Sequence, residues 1–210
     1  MSSRKMLLFL LACSALSWYV LSRNRPAAIA DPVSKGPVEN LRNNRLQYRA
    51  KELKAYAASH GYNTRICFMA DLRQHSGQLR FYVYDMYRDS VLQQGLVAHG
   101  RCNQRWLEGR RYANEPGCGC SSLGKYRIGN AYQGRFGLAY KLHGLDSSNN
   151  NAFRRYVVLH SHECVPEQEA YPDPICQSDG CPTLSPGFLR KLAPIIDHSA
   201  KPLLLLLFDE

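Results

Sequence analysis

The chain has 210 residues, 45% of them hydrophobic, which allows one domain with a real core plus an N-terminal extension. Its formal net charge is +10, a moderate basicity that suits an acidic polymer such as anionic cell-envelope material, or simply a solvated surface. No block of like charge and no aromatic–basic interleaving marks a nucleic-acid groove, so nucleic acid is not an expected partner.

Met1 to Lys5 is a short positive segment, Met6 to Leu21 carries no charge, and Arg23 and Arg25 follow. Residues 1–30 are therefore read as a signal peptide or N-terminal membrane anchor. The apolar run is slightly short for a comfortable span. Ala28-Ile29-Ala30 offers a cleavage site, and Leu10-Leu11-Ala12-Cys13 offers lipidation at Cys13 instead. Each alternative places the main domain outside the cytoplasm, in the periplasm or cell envelope, possible membrane anchoring included.

Residues 31–61 are read as linker and helix. Residues 23–37 are rich in proline, glycine and small side chains. Leu46, Ala50, Leu53 and Ala57 then fall at helical spacing, with Asn44 as N-cap and Gly61 as a left-handed C-cap.

Residues 62–210 carry the main domain. Arg65–Leu72 and Leu79–Met86 read as strands joined at Ser76-Gly77, and Val91–Ala98 as a third. A loop over 101–122 follows, then short strands at Lys125–Ile128 and Leu138–Leu142, and an apolar strand Arg155–His160. Ser185 caps a helix with Pro186 in its first turn and an apolar stripe of Leu189, Leu192, Ile195 and Ile196. Leu203–Phe208 closes the chain as a buried strand. Many short strands with glycine-rich turns and few helices predict a mainly β sandwich with peripheral helices.

There are eight cysteines, seven once Cys13 is set aside. An odd number in an exported domain suggests disulfides plus one free thiol. Cys164 and Cys176 bracket one loop and are natural partners. Cys102 with Cys118 or Cys120 would close a second loop, and Cys67 would take whichever of those two is left. Cys181 would then be the odd thiol.

Cys181 follows Gly180, which lets the backbone turn tightly and bring amides near the sulfur. The Ser185 cap downstream puts Cys181 before a helix N-terminus, where backbone dipoles favour a thiolate. His160 ends the apolar strand and would serve as general base, its ring oriented by the backbone carbonyl of Ser161. A structural disulfide role for Cys181 is the alternative. The cluster His160-Ser161-His162-Glu163-Cys164 with Cys176 and Cys181 also permits zinc. No CxxC pair or HExxH helix is present, so no metal or cofactor is expected. His99 and His143, each beside a glycine, are read as structural.

Several stretches in order carry a resemblance: Ala98-His99-Gly100, Ser121-Ser122-Leu123-Gly124, Tyr132 with Gly134 and Gly137, Leu142 with Gly144 and Leu145, Asn151-Ala152, Arg155 to His160-Ser161, and Ser178-Asp179-Gly180-Cys181-Pro182. Over residues 62–208 the chain resembles the L,D-transpeptidase catalytic domain (YkuD-type), in its murein L,D-transpeptidase catalytic-domain-like branch. The resemblance implies a β-sandwich and cysteine-dependent acyl transfer on peptidoglycan stem peptides; the chain is expected to be a monomer. It makes Cys181 the nucleophile, His160 the base, Ser161 the orienting carbonyl, and the amides of Asp179, Gly180 and Cys181 the oxyanion donors. An L,D-carboxypeptidase or endopeptidase with the same site, or a non-catalytic disulfide-stapled wall-binding domain, are the alternatives. Asp179 stands where many members have histidine, and an anion there disfavours a thiolate. Pro182 replaces isoleucine or leucine, and Thr183 replaces the usual arginine. The loop 161–177 is longer than usual and resembles a stapled lid.

Overall fold

The computed structural model describes residues 37–210, with side chains from Glu39 onward. The signal-or-anchor reading of residues 1–30, with Cys13 and Ala28-Ile29-Ala30, lies outside the described residues. The described elements are α1 (Pro37–His60), β1 (Ile66–Asp71), β2 (Phe81–Asp85), β3 (Ser90–Gly95), β4 (Val97–Ala98), β5 (Gly124–Gly134), β6 (Gly137–Gly144), β7 (Val158–Ser161), β8 (Thr183–Leu184), α2 (Pro186–Asp197) and β9 (Leu204–Phe208). The mainly β class expected from the strand pattern is what forms.

All nine strands join one mixed sheet in the order β3-β2-β1-β9-β5-β6-β7-β8-β4. Its two edge strands, β3 and β4, are separated in the chain only by Leu96. The sheet must therefore curl until its edges nearly meet. Its concave side wraps one core, in which Phe68 and Val83 from one half meet Leu142, Leu159 and Leu184 from the other. From α2, Phe188, Leu189 and Leu192 fill the same core, and the Phe188 ring stands edge-on to Phe81 at 5.7 Å.

β1 and β2 are buried on both faces. Phe68 and Ala70 face the inner core, while Cys67 and Met69 face outward onto Leu46, Ala50, Leu53 and Ala57 of α1. This is why β1 reads as a near-continuous apolar run rather than an alternation. The four α1 residues at helical spacing are all buried, as their period requires. The helix begins at Pro37, so Asn44 is an interior residue and not its N-cap. Gly61 does end it, at φ +74°, with Tyr62 N–H donating to Ala57 C=O at 3.0 Å. Residues 41–210 form one compact unit; of residues 1–40 only the opening of α1 is described.

Three strand expectations change. Val91–Ala98, expected as one strand, breaks at Leu96 into β3 and β4, which lie at opposite edges of the sheet. The short strands at 125–128 and 138–142 are parts of one long hairpin, β5–β6, kept in register past an irregularity between Ile128 and Ala131. The strand expected over Arg155–His160 begins only at Val158. Residues 147–156 turn instead, and Tyr156 takes φ +58° with its side chain exposed. Ser185 caps α2 as expected, accepting from Phe188 N–H at 3.2 Å, with Pro186 in the first turn.

Candidate active site

The site lies where β7 and β8 run parallel. Their register places His160 opposite Thr183 and Ser161 opposite Leu184. Cys181 sits two residues before Thr183, so the pairing brings Cys181 and His160 into one cleft. Asp179, Ser178, Arg101 and Phe136 line the same cleft.

His160 is 8% exposed. Its Nδ1 lies 3.1 Å from the Ser161 carbonyl, so Nδ1 carries the proton and donates to it. Nε2 is then the acceptor, and it faces the Thr183 hydroxyl at 3.0 Å. Phe136, from the β5–β6 turn, stacks on the imidazole at 5.2 Å and 18°. Burial lowers the His160 pKa below its ordinary value; the Ser161 carbonyl pulls it back up, and His162 lowers it further. The ring is neutral at pH 7.

Among the described residues the Cys181 sulfur is hydrogen-bonded to backbone: Val158 N–H donates to it at 3.5 Å, and it faces Tyr156 C=O at 3.9 Å. The turn at 147–156 is what delivers that second carbonyl. Burial pushes the thiol pKa up; Val158 N–H and the Arg155 guanidinium pull it down, and Asp179 adds to the rise. The expectation that the α2 N-terminus favours a thiolate is therefore corrected. β8 intervenes between Cys181 and α2, and the dipole effect fades within the first turn.

Gly180 has φ +113°, and a Cβ there would stand 2.8 Å from the Cys120 carbonyl. Only glycine fits that turn. Gly180 N–H donates to Ser178 Oγ at 3.2 Å, while the amides of Asp179 and Cys181 make no hydrogen bond among the described residues. Asp179 is held by Arg101, Nε to Oδ1 at 2.8 Å, in an exposed pair that partly neutralises its charge.

Among the described residues two disulfides form: Cys102–Cys120 and Cys164–Cys176. The expected third bridge to Cys67 does not. Cys67 is buried in the α1-facing core, where burial raises its thiol pKa, and Cys118 is also unpaired. Among the described residues three thiols are thus free, Cys67, Cys118 and Cys181, and parity alone does not single out Cys181. Cys164 and Cys176, which a zinc site would have needed, are bonded to each other, and no metal-holding cluster occurs among the described residues.

A family model described as the L,D-transpeptidase catalytic domain matches residues 38–204. The chain belongs to that family. The L,D-transpeptidase domain here also aligns with solved structures of the helical cell shape determining protein Pgp2 from Campylobacter jejuni and of a mutant of it. Both are 12% identical with a TM-score of 0.41, over 70% of this chain and 48% and 47% of those longer chains. No curated protein matches the sequence.

Three residues around this candidate site owe their contacts to the tertiary structure alone. Thr183 reaches His160 only through the parallel register. Phe136 reaches it only through the hairpin turn. Arg155 bonds the Ala113 carbonyl at 3.0 Å, Ser122 Oγ at 3.1 Å, Cys118 Sγ at 3.2 Å and the Cys120 carbonyl, so it ties one loop beneath the Cys181 turn.

Proposed function

We propose that this domain is an exported cysteine acyl-transferase acting on peptidoglycan stem peptides, with Cys181 as nucleophile and His160 as base. The observation that carries the proposal is the tautomer fixed by Ser161. With Nδ1–H donated to a carbonyl, the lone pair on Nε2 is held in the cleft that also holds the Cys181 sulfur. Two disulfides fit an oxidising compartment. No helix among the described residues is long and apolar enough to cross a membrane.

Both groups are neutral at rest, which favours general-base attack over a standing thiolate–imidazolium pair. His160 Nε2 exchanges the Thr183 hydroxyl for the Cys181 thiol and takes its proton as the sulfur attacks the carbonyl of the L-residue. The unpaired amides of Asp179 and Cys181 are the donors available to the oxyanion, a contribution of about 3–4 kcal/mol per donor in comparable sites. His160 returns the proton to the leaving D-amino acid, and a thioester remains on Cys181. An amine then attacks the thioester; His160 accepts its proton and restores the thiol.

Incubation with a tetrapeptide-bearing muropeptide tests this. Mass spectrometry should find Cys181 carrying the donor less its terminal D-amino acid, and Cys181→Ala should carry nothing. Normal turnover by Cys181→Ala would overturn the proposal. Adding an amine acceptor separates transfer from hydrolysis: transfer gives a cross-linked product, and hydrolysis gives the same tripeptide with or without the amine.

A further inference from the structure

Residues directly opposite one another in a sheet point to the same face. The registers therefore place Tyr132, Ala139, His160, Thr183 and Ala98 on one rung across β5, β6, β7, β8 and β4. His160 is the middle of that rung, so the outer face of the β5–β6 hairpin continues directly from the cleft. Lys141 and His143 lie on that face, two and four residues beyond Ala139.

That face is lined with rings left open to solvent. Tyr132 is 37% exposed, Phe136 46% and Phe153 51%. Lys141 Nζ stands 5.9 Å from both the Tyr132 and the Phe153 ring centroids, and Arg135 lies over Phe136 at 5.3 Å. His143 stacks on Phe153 at 4.8 Å. Residues 127–143 carry Arg127, Arg135 and Lys141 with no acid, and residues 147–161 carry Arg154 and Arg155 with no acid. The sequence hides this surface because two strands and the 147–156 turn each supply only part of it.

Rings alternating with cations do not make a contiguous apolar patch of the kind that docks a protein or inserts into lipid. They suit a polymer that offers flat sugar faces to stack and carboxylates to pair. We propose that the outer face of β5–β6 binds the polymer whose stem peptides enter the cleft, with Tyr132 and Phe153 on the sugars of its glycan strand and Lys141 on the carboxylates of neighbouring stems. The identity of the polymer rests on the function proposed above.

The test compares Tyr132→Ala/Phe153→Ala and Lys141→Gln with the unsubstituted chain. Binding is read by co-sedimentation with purified insoluble peptidoglycan and, as a sugar-free polyanion, with polyglutamate immobilised on beads. Turnover is read on a glycan-free tetrapeptide, and folding by thermal melting. The ring variant should lose about five- to tenfold in peptidoglycan affinity. Lys141→Gln should lose less, and its deficit should shrink in high salt. Both variants should melt normally and turn over the free tetrapeptide as the unsubstituted chain does. Unchanged peptidoglycan binding by the ring variant overturns the proposal, as does equal binding of polyglutamate and peptidoglycan by the unsubstituted chain. If the ring variant loses peptidoglycan binding while no form of the chain turns over tetrapeptide, the glycan strip stands and the acyl-transfer proposal falls.

Discussion

Two disulfide-closed loops flank the Cys181 turn, and their hydrogen bonds go to different places. The first, closed by Cys102–Cys120, is tied to the turn itself. Ser121 Oγ donates to the Gly180 carbonyl at 3.2 Å, Arg101 N–H to the Ser178 carbonyl at 2.9 Å, and Arg101 Nε to Asp179. The second, closed by Cys164–Cys176, is tied to the scaffold. Glu167 accepts from Ser185 Oγ at 2.8 Å and from Gly187 N–H at 2.5 Å at the start of α2, and Val165 and Ile175 pack on Leu96 and Ala98. The first loop sets the geometry of the Cys181 turn, whereas the second walls the cleft with Cys164 and Cys176 and steadies the fold. The same covalent device serves position in one loop and stability in the other.

Removing the bridges one at a time is the largest perturbation of that contrast. Each double Cys→Ser variant should lose about 2–5 kcal/mol in chemical denaturation. Cys102→Ser/Cys120→Ser should also lose most of its thioester-forming rate per folded molecule. Cys164→Ser/Cys176→Ser should keep that rate within about fivefold where it is folded. Equal rate losses in the two variants would erase the distinction.

The next effect concerns His99, at the entry to the first loop. It is 5% exposed, its Nδ1 facing Arg80 Nη2 at 3.0 Å. Burial, with Arg80 alongside, depresses its pKa to about 4 from the ordinary 6.5. The native ring stays neutral while the unfolded ring takes a proton. The stability from this group is thus complete above about pH 6.5 and is lost as pH falls toward about 4, roughly 3 kcal/mol in all. Denaturant titrations across that window should show His99→Gln with a flatter pH dependence than the unsubstituted chain. Parallel curves would mean that His99 titrates normally.

Gly180→Ala attacks the turn without touching either bridge. The added Cβ meets the Cys120 carbonyl at 2.8 Å on a backbone that only glycine adopts easily. Displacement of Cys181 by about 1 Å should cost about a hundredfold in acylation rate. A change under threefold would show that the first loop does not fix Cys181. The smallest effect is expected at the exposed Arg101–Asp179 pair, 2.8 Å apart. Asp179→Asn should change stability by less than about 1 kcal/mol. Because Asp179 raises the Cys181 pKa, the same change should move the alkaline limb of the rate profile slightly downward.

Local pattern was a sound guide wherever one element sufficed. The period of Leu46, Ala50, Leu53 and Ala57 marks the buried stripe of α1, and Ser185-Pro186 marks the start of α2. Local pattern misled wherever distant backbone decided. Asn44 is as good a cap as Ser185 in composition, but the helix had already begun seven residues earlier. Val157 is as apolar as the strand it precedes, yet the turn before it stops the ladder at Val158. Cys67 counts as a bridging cysteine until β1 is seen to turn it into the α1 interface, a cluster that contains no second cysteine among the described residues.

By itself the sequence determined the mainly β class, the Cys164–Cys176 pairing and the ordered pair of His160-Ser161 and Gly180-Cys181, because each depends on composition or spacing within one short stretch. Only the tertiary structure decided which of the described cysteines stay free, that Thr183 faces Nε2 of His160, and that burial favours the thiol form of Cys181. Those depend on strand register and solvent exclusion, which no local run of residues encodes.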